Sequence, residues 1–284
     1  MSRSGRSSRP KRGLGQNFLV DSRLQDRIVE EARVGPGETV LEIGPGRGAL
    51  TEGLVRCIEA GGGRLVLVEL DDALAAELAQ KFDGHPQVRV IHRNVLDLPL
   101  SEVTPELRTL KVVGNIPYNL TSPILFHLLR PPRPREILLL LQKEVADRIL
   151  AEPGSGAFGA LTVGVRTVAS AERVLRISPE AFRPRPKVDS ALVRFTPFEP
   201  APLDRAEEHR LRGLSRSLFQ WRRKQLGKIL RDHPELQLSR EEAERVAAAA
   251  GVELTARPET VSPEGFIAMA EALPRQGLSP PGPD

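Results

Sequence analysis

The chain has 284 residues, 40% of them hydrophobic and 27% charged, a composition typical of globular proteins and a length that suits about two domains. No apolar run approaches the roughly 18–20 residues needed to span a bilayer. A single cysteine, Cys57, excludes a disulfide framework, and five scattered histidines without a partner at ligand spacing argue against a built-in metal site. The net charge of +4 sits at one end: Arg3, Arg6, Arg9, Lys11 and Arg12 place +5 on residues 1–13, which leaves −1 for the remainder. Basicity of the whole chain is therefore weak support for a nucleic-acid partner. A reducing, cytoplasmic setting, no membrane partner and a monomer are the expectations.

In chain order, residues 1–13 read as a disordered basic tail. From residue 14 onward short apolar strands alternate with helical stretches. Strands are expected at 39–43, 65–69, 88–92, 111–115 and 137–141, and helices at 22–32, 49–60, 72–82, 122–129 and 143–150. That alternation implies βαβ units, hence a doubly wound parallel sheet with helices on both faces. Residues 191–195, after the proline-rich segment 183–186, suggest an added edge strand. Pro197, Pro200 and Pro202 mark a linker. Beyond it, helices at 207–219, 221–232, 239–250 and 263–273 form a small helical domain. The expected layout is thus a catalytic domain over 14–197, a helical domain over 198–274 and a disordered tail over 275–284.

Two segments carry chemistry. Glu42-Ile43-Gly44-Pro45-Gly46-Arg47-Gly48 ends the first strand and opens a helix, and a doubly wound sheet binds ligands at the carboxyl ends of its strands. Glycine there permits positive φ and close approach of a ligand to the backbone. Glu69, at the end of the second strand, is placed to accept both hydroxyls of a ribose. A dinucleotide fingerprint needs glycine where Ala49 stands. The Gly-Pro-Gly turn after Glu42 points instead to S-adenosylmethionine, which has no phosphate to cradle.

The second segment is Gly114-Asn115-Ile116-Pro117-Tyr118, after the fourth strand, and Tyr118 is the only tyrosine in the chain. An exocyclic adenine nitrogen is a poor nucleophile because its lone pair is delocalised into the ring. The Asn115 amide oxygen and the Pro117 carbonyl offer acceptors for its two hydrogens. Such bonds favour a pyramidal nitrogen with its lone pair aimed at an electrophile. Proline fixes the turn, and the Tyr118 ring gives a stacking face worth about 1–3 kcal/mol per base.

These residues, with Gly15-Gln16-Asn17-Phe18-Leu19, Val68-Glu69-Leu70-Asp71, Leu141-Gln142-Lys143-Glu144-Val145, the segment from Phe182-Arg183-Pro184-Arg185-Pro186 through Lys187-Val188-Asp189-Ser190, and Arg222-Arg223-Lys224, occur in one order over nearly the whole folded chain. In that order they resemble the bacterial ribosomal small-subunit RNA adenine dimethyltransferases. The resemblance implies a Rossmann-like class I methyltransferase sheet with a small C-terminal helical domain. It implies S-adenosylmethionine as methyl donor, and 16S rRNA within the 30S subunit or its precursor as partner. Two adjacent adenosines of the 3′-terminal hairpin would each gain two methyl groups on N6. By the same resemblance, Asn17, Leu19, Gly44, Gly46, Glu69 and Asn115 contact the cofactor, and Phe182 sandwiches the target base opposite Tyr118. The family usually carries Asp where Asn94 stands; an amide oxygen still accepts the adenine amino hydrogen, without charge assistance.

Arg183, Arg185 and Lys187 alternate along an extended segment, and Arg222, Arg223 and Lys224 open a helix of the small domain; both clusters suit an RNA backbone. The target base is expected to leave its stack. Three alternatives remain open: a macrolide-resistance-type 23S rRNA adenine N6-methyltransferase, an NAD-dependent oxidoreductase, and a non-catalytic RNA-binding assembly factor.

Overall fold

The computed structural model describes residues 17–274. The basic tail, Gly15 and Gln16 of the first motif, and the tail after residue 274 lie outside the described residues. The described chain forms two compact units. One comprises the chain up to Ala146 together with Glu172–Thr196; the other comprises Asp147–Ala171 and the chain from Pro197 onward.

The first unit is built on a sheet. β1 (Phe18–Leu19) and α1 (Ser22–Glu31) lead into β2 (Thr39–Ile43), α2 (Thr51–Gly61), β3 (Arg64–Glu69), α3 (Asp72–Lys81), β4 (Val88–His92), β5 (Leu110–Asn115), α4 (Thr121–Leu128), β6 (Glu136–Gln142) and α5 (Lys143–Ile149). β2 is buried at every position and β6 at its five central ones, without the alternating burial of a one-sided strand. That is the signature of a parallel strand covered on two faces. β2 pairs in parallel with β3 and with β5, β3 with β4, and β5 with β6. The order β4-β3-β2-β5-β6 reverses direction between β2 and β5, which is the switch point where such sheets bind ligands. The starts of α1 and α3 are fixed by acids: Asp21 accepts the Leu24 N–H at 3.1 Å, and Asp71 accepts those of Ala73 and Leu74.

α6 (Ala160–Arg166) and β7 (Ala169–Ile177) lie where the sequence reading assigns no element, and β8 (Phe182–Arg183) and β9 (Ser190–Pro197) follow. The Val-, Thr- and Gly-rich Ala-Leu-Thr-Val-Gly-Val-Arg of α6 has poor helix propensity. Its start is secured by the Gly159 N–H on Thr162 Oγ1 and by the Thr162 hydroxyl on the Arg148 carbonyl at 2.6 Å. β9 is not an edge strand, as 191–195 suggested. It runs antiparallel to β6 and lies between β6 and β7, so β7 takes the edge. β8 pairs with β1 instead, Leu19 opposite Phe182.

The second unit contains α6, α7 (Arg205–Gln220), α8 (Leu226–Asp232), α9 (Arg240–Ala249) and α10 (Pro263–Ala272). Its core joins Phe158 and Val163 to Leu214, Leu218, Leu230, Val246 and Phe266. Phe158, Phe219 and Phe266 form a run of ring contacts at 6.2 and 5.8 Å. This shared core moves the expected boundary: residues 147–171 belong with the helices, not with the catalytic unit that 14–197 delimited. The expected helix at 221–232 also differs, because Trp221 ends α7 and α8 begins only at Leu226. Capping boxes at Asp204/Glu207 and Ser239/Glu242 open α7 and α9. Among the described residues no helix is long and apolar enough to cross a membrane, and no group of three or more His, Cys, Asp or Glu is placed to hold a metal.

Candidate active site

The carboxyl ends of β2, β3 and β5, together with the turn after β4, converge on one open cleft. Gly44 and Gly46 hold φ of +63° and +58°, conformations that other residues adopt only with strain. A side chain at Gly46 would also lie 3.0 Å from the Phe18 ring, which covers the turn. The guanidinium of Arg47 rests over that ring, 4.8 Å from its centre. Phe18 thus belongs to the site. The motif at 15–19 contained it, but an aromatic in a loop gave no sign of what it would cover.

Glu69 is anchored by three backbone N–H groups. Gly46 donates to Oε2 at 3.0 Å, and Leu70 and Asp71 donate to Oε1 at 2.9 Å each. A carboxylate accepts about four hydrogen bonds, so capacity remains for a ligand hydroxyl. Leu70, 44% exposed, and Val95 add apolar surface to the same cleft. Asn94 lines it too, with Oδ1 accepting the Leu96 N–H at 3.1 Å as the cap of a short 3-10 turn. Beneath the loop, Glu42 accepts the Thr51 hydroxyl at 2.7 Å. Burial pushes its carboxyl up to about 8, and the neighbouring Glu69 adds to the shift while the Thr51 bond opposes it.

Asn115 ends β5, and its amide is held in one sense. Nδ2 donates to the Asn17 carbonyl at 2.9 Å, so Oδ1 is left as the acceptor at the cleft. The Pro117 carbonyl accepts the Leu120 N–H at 3.0 Å and keeps a second lone pair. Tyr118 follows, half-buried on the cleft wall, and its hydroxyl lies 2.7 Å from Ser190 Oγ. The cleft therefore pairs a glycine-lined, carboxylate-bearing pocket with an oriented amide acceptor and an aromatic face.

The family model described as ribosomal RNA adenine dimethylase matches residues 7–271. The chain belongs to that family. Among curated relatives, the ribosomal RNA small subunit methyltransferase A of Nitratidesulfovibrio vulgaris is 40% identical over 274 residues, covering 95% of this chain and 99% of the relative. The crystal structure of the 23S rRNA methyltransferase ErmE is 30% identical, with a TM-score of 0.67 over 90% of this chain and 99% of that one. A dimethyladenosine transferase from Plasmodium falciparum shares the fold at a TM-score of 0.74 and 23% identity, over 89% of this chain and 95% of that one. The sheet is accordingly the Rossmann-like sheet of class I methyltransferases, and the chain is an enzyme of the rRNA adenine dimethylase family.

Other residues of this dimethylase sort differently. Asn17, Leu19, Gly44, Gly46, Glu69, Asn94, Asn115, Pro117 and Tyr118 all line the cleft. Phe182 does not. It is fully buried in the core with Leu19, Ile28, Val113 and Leu192, because its pairing with Leu19 turns the ring inward, and it offers no face to a base. Arg183, Arg185 and Lys187 are exposed. Arg183 donates to the Glu180 and Phe182 carbonyls, and Arg185 pairs with Glu180. Arg222, Arg223 and Lys224 occupy the turn between α7 and α8 rather than a helix start. Arg222 donates to the Gly156 carbonyl at 2.9 Å and faces Glu259 at 3.8 Å, so it fastens its own unit; Arg223 and Lys224 are exposed.

Proposed function

We propose that this chain methylates N6 of two adjacent adenosines in the 3′-terminal hairpin of 16S rRNA, twice each, with S-adenosylmethionine as donor, during maturation of the small subunit in the cytoplasm. The observation that carries the reading is the amide of Asn115, held through Nδ2 on the Asn17 carbonyl in the cleft that Tyr118 also lines.

The donor supplies a methyl carbon made electrophilic by a sulfonium. Glu69 would accept a hydroxyl of its ribose on a carboxylate that Gly46, Leu70 and Asp71 hold still. Leu70 and Val95 would offer apolar surface to its purine and Asn94 a polar group to the purine's edge, with Gly44, Gly46, Asn17 and Leu19 available to bound the rest, since all of these line the cleft. Asn115 Oδ1 and the free lone pair of the Pro117 carbonyl accept the two hydrogens of the target amino group and turn its lone pair toward the cleft. Tyr118 supports the extruded base by stacking. A neutral amide suffices, because the alkylated nitrogen is acidic and gives up its proton to water. RNA contacts fall to the exposed Arg183, Arg185, Lys187, Arg223 and Lys224, the last two on the helical unit, which we assign to RNA recognition.

The test is incubation of the protein with labelled methyl donor and undermethylated 30S particles, followed by nucleoside analysis and primer extension on 16S and 23S rRNA. Dimethyladenosine in the 16S hairpin is the expected product. Asn115→Ala should lose at least a hundredfold in rate while keeping RNA affinity. Stops on 23S rRNA alone would favour the activity named for ErmE, and full turnover by Asn115→Ala would refute the role of the amide.

A further inference from the structure

We propose that Ser190 is a positioning residue for methyl transfer, holding the tip of the Tyr118 ring so that its stacking face keeps one plane and one height in the cleft. The proposal deepens the reading of this cleft as an adenine methylation site and rests on it.

Tyr118 lines the cleft from a short 3-10 turn, and its hydroxyl lies 2.7 Å from Ser190 Oγ, a full-strength O–H···O distance. Torsion about the Cβ–Cγ bond of a tyrosine is broad, so a ring in a turn is poorly fixed by its own backbone. Ser190 is a rigid anchor. It is buried, it opens β9, and it stands opposite Gln142 in the antiparallel pair with β6. Its neighbour Asp189 accepts the Lys143 N–H at 2.9 Å, which ties the same point to the start of α5. The segments Leu141–Val145 and Val188–Ser190, which do not themselves line the cleft, thus meet at the Tyr118 hydroxyl. A bond between the ring tip and this sheet corner sets where the base lies. Reaction rate depends steeply on such placement.

Tyr118 is the only tyrosine in the chain, so phenol absorbance on alkaline titration reports this one ring. Burial raises its pKa and the Ser190 bond opposes that rise. Loss of the bond should move the titration further upward.

The test compares wild type, Ser190→Ala, Tyr118→Phe and the double variant, each checked for an unchanged melting midpoint. Three quantities are read: single-turnover methylation of undermethylated 30S particles, donor affinity by calorimetry, and, in the variants that retain Tyr118, the phenol titration. Each single variant should be about tenfold slower, the scale of one lost hydrogen bond at an aligned centre. The double should be no slower than either single, because both changes remove the same bond. Donor affinity should stay within twofold, and Ser190→Ala should raise the Tyr118 titration. Wild-type rates in both singles, a multiplied loss near a hundredfold in the double, or an unmoved titration would each overturn the proposal. Wild-type protein that methylates neither rRNA would instead overturn the functional reading, with the titration shift still present.

Discussion

At the scale of single residues, Glu42 sets a pH dependence. Its carboxyl is buried beneath the glycine loop and titrates near 8, chiefly through burial and against the Thr51 bond. The unfolded chain releases that proton near 4.5, whereas the folded chain keeps it until about 8. Across that window the unfolded state binds fewer protons, so this group lowers stability as pH rises, with its full effect above 8 and none well below 4.5. Glu42→Gln keeps an acceptor for Thr51 and removes the ionisation. Thermal unfolding should show its midpoint raised by a few degrees at pH 8.5 and unchanged at pH 4; an unchanged or lower midpoint at pH 8.5 would refute the burial argument. The sequence placed Gly44, Gly46, Glu69 and Asn115 at strand ends, and they line one cleft there; the glycines were legible because their turn takes positive φ. Phe182 was misread, since a phenylalanine before an Arg-Pro-Arg-Pro run looks the same whether it faces a cleft or a core.

At the scale of elements, the short β1–β8 pair decides what Phe182 does. Leu19 and Phe182 lie opposite one another and enter one core. Phe182→Leu should cost about 1–2 kcal/mol of stability through lost packing and leave turnover per folded molecule within twofold. A stacking ring would give the reverse, a large rate loss at unchanged midpoint. The parallel strands were readable within a residue of their ends, because buried runs such as Glu-Ile-Leu-Leu-Leu-Leu-Gln have few alternatives. β7 was not. Ala169-Ser170-Ala171-Glu172-Arg173 lacks the large apolar and β-branched residues that signal a strand. Missing β7 is what turned β9 into an expected edge.

At the scale of the whole molecule, charge divides between fastening and recognition. Arg222 is held by Ser155, Gly156 and Glu259, all within the helical unit. Arg222→Ala should lower the melting midpoint by several degrees and change the salt dependence of RNA binding little. Arg223→Ser with Lys224→Ser should do the opposite, weakening binding at an unchanged midpoint and reducing the slope of log affinity against log salt by about 2. Equal slopes for the double variant and wild type would remove these two from the RNA interface. Sequence alone offered three consecutive cations and no means of telling them apart.

β7 leaves the ribosome before β9, yet β9 is the strand that separates it from β6. A chain truncated before residue 190 therefore lacks both the strand that joins β7 to the rest of the sheet and the serine on which the Tyr118 hydroxyl rests. Translation products of that length should be unable to hold a base in register.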